Sequence, residues 1–414
     1  MTEVIIAGIG QTEVGEHWNI SLRQLGAYAM RAAIKDAGGL RPQALFAGNM
    51  LAPSLSGQAH VATLLADHTG LSGIEAITIE AAGASGGAAL RQGYLAIASG
   101  MVDVALVVGV EKFTDKIGAD VEQAISTATD SDYEAIHGMT ASAQAALLMR
   151  RYMLEFNVPA DGFAGFPITA HANAVGNKFA MFQKAIKPEA YAKAEMISEP
   201  LNLFDMAPNA DGAAAVLLTR RELLPKDFAH PLVKIAASAN ASDTLALHDR
   251  PDPLVFTAAK ISVERALYKA GVVLEAINFF EYHDAFSIFA ALSLEAAGFA
   301  AHGAGWAVSG DTHLTSGDAR LTGDTRPTGD KRLTTDGVTT PTGRIPCATM
   351  GGLKARGNPG GASGVYQAVE AVLQLRGSAG PNQLNGARFG LIQSLGGPAS
   401  TAVTHILEKV DEIS

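Results

Sequence analysis

The chain has 414 residues, 48% apolar and 17% charged, which excludes intrinsic disorder and suits roughly two to three domains' worth of core. Thirty-one Lys and Arg against 41 Asp and Glu give a net charge of −10, which speaks against a non-specific nucleic-acid binder. A single cysteine, Cys347, excludes an intrachain disulfide framework and a multi-cysteine zinc site, and no apolar run approaches the roughly 20 residues that span a membrane.

The N-terminus, MTEVIIAGIGQTEVG, has an early Glu3 and no basic start, unlike a secretory signal. The expectation is a soluble, cytoplasmic, globular protein. Short β-branched runs alternate with longer Ala-rich periodic segments, the pattern of an α/β architecture. A strand is predicted at Val4–Ile9, then a helix from Leu22 to Ala37 with a capping box at Ser21 and Gln24 and a stop at Gly38-Gly39. Strands follow at Leu45–Met50 and Ile77–Glu80. The latter runs into a small-residue turn, Ala81–Gly87, that feeds a helix to Ser99. Val102–Gly109 is almost wholly apolar, as in a strand buried on both faces.

Asn209–Thr219 reads as the strand that closes the first half, and the polar stretch Arg220–Pro231 as the boundary between residues 1–225 and 226–414. Beyond it come a strand at Leu232–Ser238, a helix at Ala258–Ala270 and a strand at Asn278–Tyr282 that ends in His283. The turn Gly357–Gly364 precedes a helix at Val365–Leu375, as the turn Ala81–Gly87 precedes its own, and Phe389–Ser394 is the last predicted strand. This repetition predicts an internal duplication. Ser309–Gly337 stands apart: Gly-Asp recurs at positions 310, 317, 323 and 329, a near-hexameric insert read as a solvated loop or a partner-binding arm.

Gly8-Ile9-Gly10 is half a dinucleotide fingerprint without the third glycine, and no P-loop occurs. His137, His171 and His302 lack metal-ligand spacing, so no metal is expected. Strand ends, tight turns and polar residues coincide instead at Glu80–Gly87, at Glu281–Phe286, and at Gly351–Gly364 with Gln393–Gly397.

With these segments, GVEKFTD (Gly109–Asp115), HANAVGNKFAMFQ (His171–Gln183), NADGAAAVL, EYHDAF and the terminal SLGGPASTAVTHIL, the chain resembles the thiolase superfamily, in particular its archaeal and sterol-carrier-protein types. The resemblance covers all but the Gly-Asp insert. It implies two similar α/β halves in a five-layer helix–sheet–helix–sheet–helix arrangement with the site between them. It further implies a coenzyme A thioester as substrate with no tightly bound cofactor, a homodimer, and an OB-fold, zinc-ribbon partner that the insert could contact.

Thiolases place a nucleophilic cysteine at the start of a buried helix, in a segment that would read AACASGG. This chain has Gly83 there, so the nucleophile position is vacant. The Gly-His-Pro histidine is replaced by Asn358, the Cys-x-Gly cysteine by Ser394, and an Asn-x-Ser-Gly-Gly segment by Ala348–Gly352, while His283-Asp284-Ala285-Phe286 keeps the family pattern. A glycine cannot carry an acyl group, and asparagine is no general base but can donate to a carbonyl oxygen. Backbone amides of Gly83 and Gly396 could still form an oxyanion hole.

The expected activity is therefore C–C bond cleavage or formation beside the thioester without an acyl-enzyme, of the retro-aldol type, with His283 as base and Asn358 and Ser394 beside it. Two alternatives stand: a catalytically silent subunit, or an acyltransferase with another nucleophile such as Cys347. Bland readings also stand: a structural histidine at 283, a turn residue at 358, a buried hydroxyl at 394, a tight turn at 83 and a buried, inert Cys347.

Overall fold

The computed structural model describes residues 2–308 and 345–410. The Gly-Asp insert at 309–337 lies outside the described residues.

The first half contains β1 (Val4–Gln11), α1 (Leu22–Asp36), β2 (Ala44–Gly48), the short α2 (Ala52–Leu55), α3 (Val61–His68), β3 (Glu75–Ile79), α4 (Ser85–Ala98) and β4 (Val104–Glu111). A mostly helical excursion follows, with α5 (Ala119–Ser126), α6 (Ala141–Phe156), α7 (Gly165–Ala174), the short α8 (Pro188–Ala192) and the two-stranded β5 (Met196–Ser198) and β6 (Leu201–Asn202). Then β7 (Gly212–Arg220) returns to the main sheet. The second half contains β8 (Leu232–Ser242), α9 (Thr257–Ala270), β9 (Phe279–Glu281), α10 (Ser287–Ala297), α11 (Ser363–Arg376), β10 (Phe389–Gly396) and β11 (Thr401–Val410). The capping box at Ser21 and Gln24 forms as predicted.

Nine strands form one sheet in the order β3-β2-β4-β7-β1-β8-β11-β10-β9. Its two ends have matching pairings. β1–β7 and β7–β4 are antiparallel and β4–β2 is parallel; β8–β11 and β11–β10 are antiparallel and β10–β9 is parallel. Even the parallel partner of β2, namely β3, has a remnant counterpart in the bridge from Phe280 to Cys347. The halves join where Ile5 of β1 pairs with Lys234 of β8.

Side-chain alternation sorts the core into layers. Leu106, Val108 and Val110 of β4 face α1 and α3 in one cluster. Ala105 and Val107 face the opposite way, into a cluster built by α4 and α11 together with residues of both half-sheets. A third cluster packs α9 and α10 on the far face of the second half. The result is the helix–sheet–helix–sheet–helix stack, with α4 and α11 in the middle. Among the described residues, no helix is long and apolar enough to cross a membrane.

Candidate active site

The two middle helices start alike. The turn Ala82–Ala84 leads into α4 and the turn Gly360–Ala362 into α11. Ala82 has φ 49° and the equivalent Gly360 has φ 45°, so the first half holds an alanine in the left-handed region at the position where the second half uses glycine. The helix starts touch because neither carries a side chain at the contact: a Cβ on Gly364 would lie 2.3 Å from the Gly87 nitrogen. Glu111, the glutamate of the GVEKFTD stretch, ties the halves together. Its buried carboxylate accepts from the amides of Met50, Leu51 and Gly361 and from Asn49 Nδ2.

At this junction lies a cavity of about 110 Å³. Gly83, His283, Asn358 and Leu395 form part of its wall, together with the apolar side chains of Phe113, Met206, Phe286 and Phe289. His283 follows the C-terminal end of β9, and Gly83 follows the C-terminal end of β3. Ligand sites of open α/β sheets sit at these carboxyl ends, because the loops there are free to converge.

The space at Gly83 is closed. A Cβ there would lie 2.7 Å from the Leu395 carbonyl oxygen, 3.2 Å from His283 Cε1 and 3.3 Å from His283 Nε2. The imidazole edge thus occupies the surroundings of Gly83.

His283 is 5% exposed, and its Nδ1 is buried without a hydrogen-bond partner among the described residues. Burial, with the positive charge of Arg356 second, pushes its pKa down to about 3. The ring is therefore neutral at working pH, with a lone pair on one nitrogen and a proton on the other. Arg356 Nε lies 2.9 Å from Glu370 Oε1, both fully buried, with the guanidinium 4.8 Å from the Tyr366 ring centroid. Burial raises Glu370 to about 8 and Glu281 to about 7, against the lowering effect of Arg356 on each.

Asn358 is held by its backbone, donating to the Pro208 carbonyl and accepting from the Ala210 amide. Ser363 Oγ donates to its Oδ1 at 3.0 Å. No hydrogen bond from Asn358 Nδ2 forms among the described residues, and the residue lines the cavity.

Ser394 is not part of this wall. Its hydroxyl donates to Gln367 Oε1 at 2.9 Å between the starts of α4 and α11, where a Cβ on Gly87 would lie 2.8 Å from it. The reason is strand alternation: Leu395, its neighbour on β10, lines the cavity, so Ser394 faces the helices. Gly396 is likewise absent from the cavity lining, whereas Leu395, Gly397 and Pro398 belong to it. Cys347 is 2% exposed and bonded through its thiol to the Ile345 carbonyl, and burial raises its pKa well above the usual thiol value. It does not line the cavity.

Sequence reasoning missed several residues. Gln144 of α6 lines the cavity from a helix that carries no motif. The His171–Gln183 stretch is a brace: Asn173 Nδ2 donates to the Ala348 carbonyl and Asn177 Nδ2 to that of Met350. A second cavity, of about 610 Å³, shares Met206 with the first and is lined by His171, Phe182, Lys184, Lys187, Phe204 and Lys354. Lys354 is buried and donates to the Asp205 carbonyl at 2.8 Å, and burial lowers its pKa to about 8. Among the described residues, no group of three or more His, Cys, Asp or Glu could hold a metal ion.

The family model described as "Thiolase, N-terminal domain" matches residues 4–222, and "Thiolase C-terminal domain-like" matches 239–329 and 325–409. The chain is 38% identical to an acetyl-CoA acetyltransferase of Methanothermobacter thermautotrophicus, over 99% of this chain and all of that one. It is 29% identical to the benzoylsuccinyl-CoA thiolase subunit BbsB of Thauera aromatica, over 90% of this chain and 89% of that one. The solved Ltp2-ChsH2(DUF35) aldolase superposes with a TM-score of 0.78 at 23% identity, covering 98% of each chain. Sequence, sheet topology and duplicated helix starts agree: the chain belongs to the thiolase family.

Proposed function

We propose that this protein binds an acyl-CoA and breaks or makes the C–C bond beside the thioester by retro-aldol or aldol chemistry, without an acyl-enzyme. The observation that carries this reading is the closed, side-chain-free position at Gly83. A β-hydroxyacyl-CoA needs no nucleophile. Neutral His283 accepts the hydroxyl proton, the bond between the α and β carbons breaks, and an aldehyde or ketone leaves. The electron pair becomes an enolate whose oxygen accepts from Asn358 Nδ2, and the imidazolium returns its proton to the α carbon to give the shortened acyl-CoA. Forming imidazolium in so dry a place is costly, and the enolate's negative charge beside it offsets that cost. Gly83 and Gly396 remain proposed amide donors to the same oxygen. Ser394, turned towards Gln367, has no step in this scheme.

The adjoining cavity supports a coenzyme A ester as ligand: Lys184, Lys187 and Lys354 offer positive charge, and Phe182 and Phe204 offer flat apolar faces, as a phosphorylated adenine nucleotide requires. We further propose a cytoplasmic homodimer. The edge strand β3 carries Ile77, 53% exposed, and an unpaired edge is a template for a second copy; Ile77→Lys would then shift the mass in solution towards the monomer. An OB-fold, zinc-ribbon partner is proposed on the resemblance, and co-purification of the two chains on co-expression tests it.

Incubation with 3-hydroxyacyl-CoA followed by mass spectrometry tests the reaction: acetyl-CoA and the matching aldehyde are expected, in equal amounts. Their absence, with a stable acyl adduct on the protein, would favour the acyltransferase reading, which the name of the Methanothermobacter relative recommends. Absence of products, of adduct and of any thermal stabilisation by CoA esters would favour the silent subunit.

A further inference from the structure

The cavity beside His283 is lined by a buried side-chain amide that packing does not explain. Gln144 sits on the buried face of α6 with Ala145, Leu148, Met149 and Tyr152, where helical spacing asks for an apolar residue. It is 2% exposed and lines the cavity. Its side-chain Nε2 is buried without a hydrogen-bond partner among the described residues. Thr129 and Ser142, two other polar residues of the lining, are engaged. Thr129 Oγ1 donates to the Ser126 carbonyl, and Ser142 Oγ pairs with Thr140 Oγ1.

An unpaired buried amide destabilises a protein, so one that opens onto a ligand cavity marks where a ligand atom completes it. Apolar pockets gain specificity from such single polar groups. We infer that Gln144 is a specificity-determining residue that recognises an oxygen on the acyl chain beyond the thioester carbonyl. The ligand is then a short acyl-CoA with a hydroxyl group at its third or fourth carbon, not a plain hydrocarbon acyl-CoA. This inference rests on the acyl-CoA reading above. It adds a contact from Gln144 to the hydroxyl on the third carbon, or to one on the fourth carbon, that the proton transfer at His283 does not itself supply.

Equilibrium dialysis on ice tests it, with intact ester quantified by mass spectrometry. The probes are 3-hydroxybutyryl-CoA, 4-hydroxybutyryl-CoA, butyryl-CoA and free CoA. The native protein should prefer at least one hydroxy ester over butyryl-CoA by about tenfold or more, the worth of one buried hydrogen bond left unmade. Gln144→Leu should abolish that preference, leave free CoA binding unchanged, and keep or raise the melting temperature because it removes the orphaned amide. Gln144→Met, a second apolar replacement of similar length, gives the same readout if the leucine variant does not fold. Equal binding of all three esters by the native protein, or a variant that loses every ester equally, overturns the role of Gln144. Failure of every probe, free CoA included, overturns the acyl-CoA reading beneath it.

Discussion

The imidazole of His283 stands against the backbone of Gly83: a methyl group added at Gly83 would meet Nε2 at 3.3 Å and the Leu395 carbonyl oxygen at 2.7 Å. The second distance is shorter than real Cβ contacts, and its partner is backbone, which yields only by moving the end of β10. Placing a cysteine at 83, where the resemblance puts the nucleophile, should therefore not create an acyl-enzyme. Gly83→Cys and Gly83→Ala are each expected to lower stability by about 1–3 kcal/mol, as overpacking does. The introduced thiol should collect no acetyl group from acetyl-CoA, as read by denaturing mass spectrometry. A stoichiometric adduct at unchanged melting temperature would show that the space opens readily.

His283 should matter for turnover and not for binding. His283→Gln is expected to lower kcat by about 10²- to 10⁴-fold, the usual worth of a positioned acid–base group, with free CoA affinity kept. The pH profile makes the assignment sharper. A base must be unprotonated, and burial holds this one near 3, so the neutral form dominates everywhere above that value. The plot of kcat/KM against pH should show no acid limb centred near 6.5, the usual histidine value. Such a limb in the native protein, absent from His283→Gln, would mean that the ring is solvated.

Much of this architecture is legible in the chain itself, because the duplicated halves repeat a strand, a small-residue turn and a helix. The equivalence extends to the left-handed residue of each turn, Ala82 and Gly360. Gly83, His283 and Asn358 come from separate segments, and motif resemblance places all three on one cavity. Ser394 shows where that reasoning fails. A motif gives position along a strand, but a period of two decides which face a residue takes, and Leu395 takes the cavity. Gln144 has no motif and reads as one polar residue on a helix. Only its burial, together with its missing partner, distinguishes it. The pairing of Arg356 and Glu370 is equally silent, since the segment ending at Arg356 and the helix α11 are brought together only by the fold.

Three buried histidines with lowered pKa values, His171, His283 and His405, predict acid sensitivity. Burial depresses His405 on β11 to about 4, despite the hydrogen bond from its Nε2 to the Gly87 carbonyl at 3.1 Å. A depressed folded-state pKa contributes stability that is present above the unfolded value of about 6.5 and is lost as pH falls towards 4. At pH 5 this loss is about 2 kcal/mol for one such group, at roughly 1.4 kcal/mol per pH unit. Glu111, Glu281 and Glu370 act oppositely, because their raised values make stability fall as pH climbs from about 4.5 towards 7–8. Comparing His405→Gln with the native chain cancels the glutamates. The variant's drop in melting temperature from pH 7 to pH 5 should be smaller, and an equal drop would place the acid sensitivity elsewhere.

Cys347 decides between the two covalent possibilities, an acyl-enzyme on a displaced thiol and none at all. Thiolate, not thiol, attacks a thioester, and this sulfur is 2% exposed, donates to the Ile345 carbonyl and has its ionisation suppressed by burial first and by Glu281 and Asp284 next. It also lies outside the cavity that holds His283. Iodoacetamide should leave the native protein unlabelled and modify it once urea unfolds the chain. Cys347→Ala should keep C–C bond activity within about twofold, with at most about 1–2 kcal/mol of lost stability for a small buried side chain. Rapid labelling of the native protein, protected by acetyl-CoA and matched by loss of activity in Cys347→Ala, would put the nucleophile back and remove the reason for chemistry without a covalent intermediate.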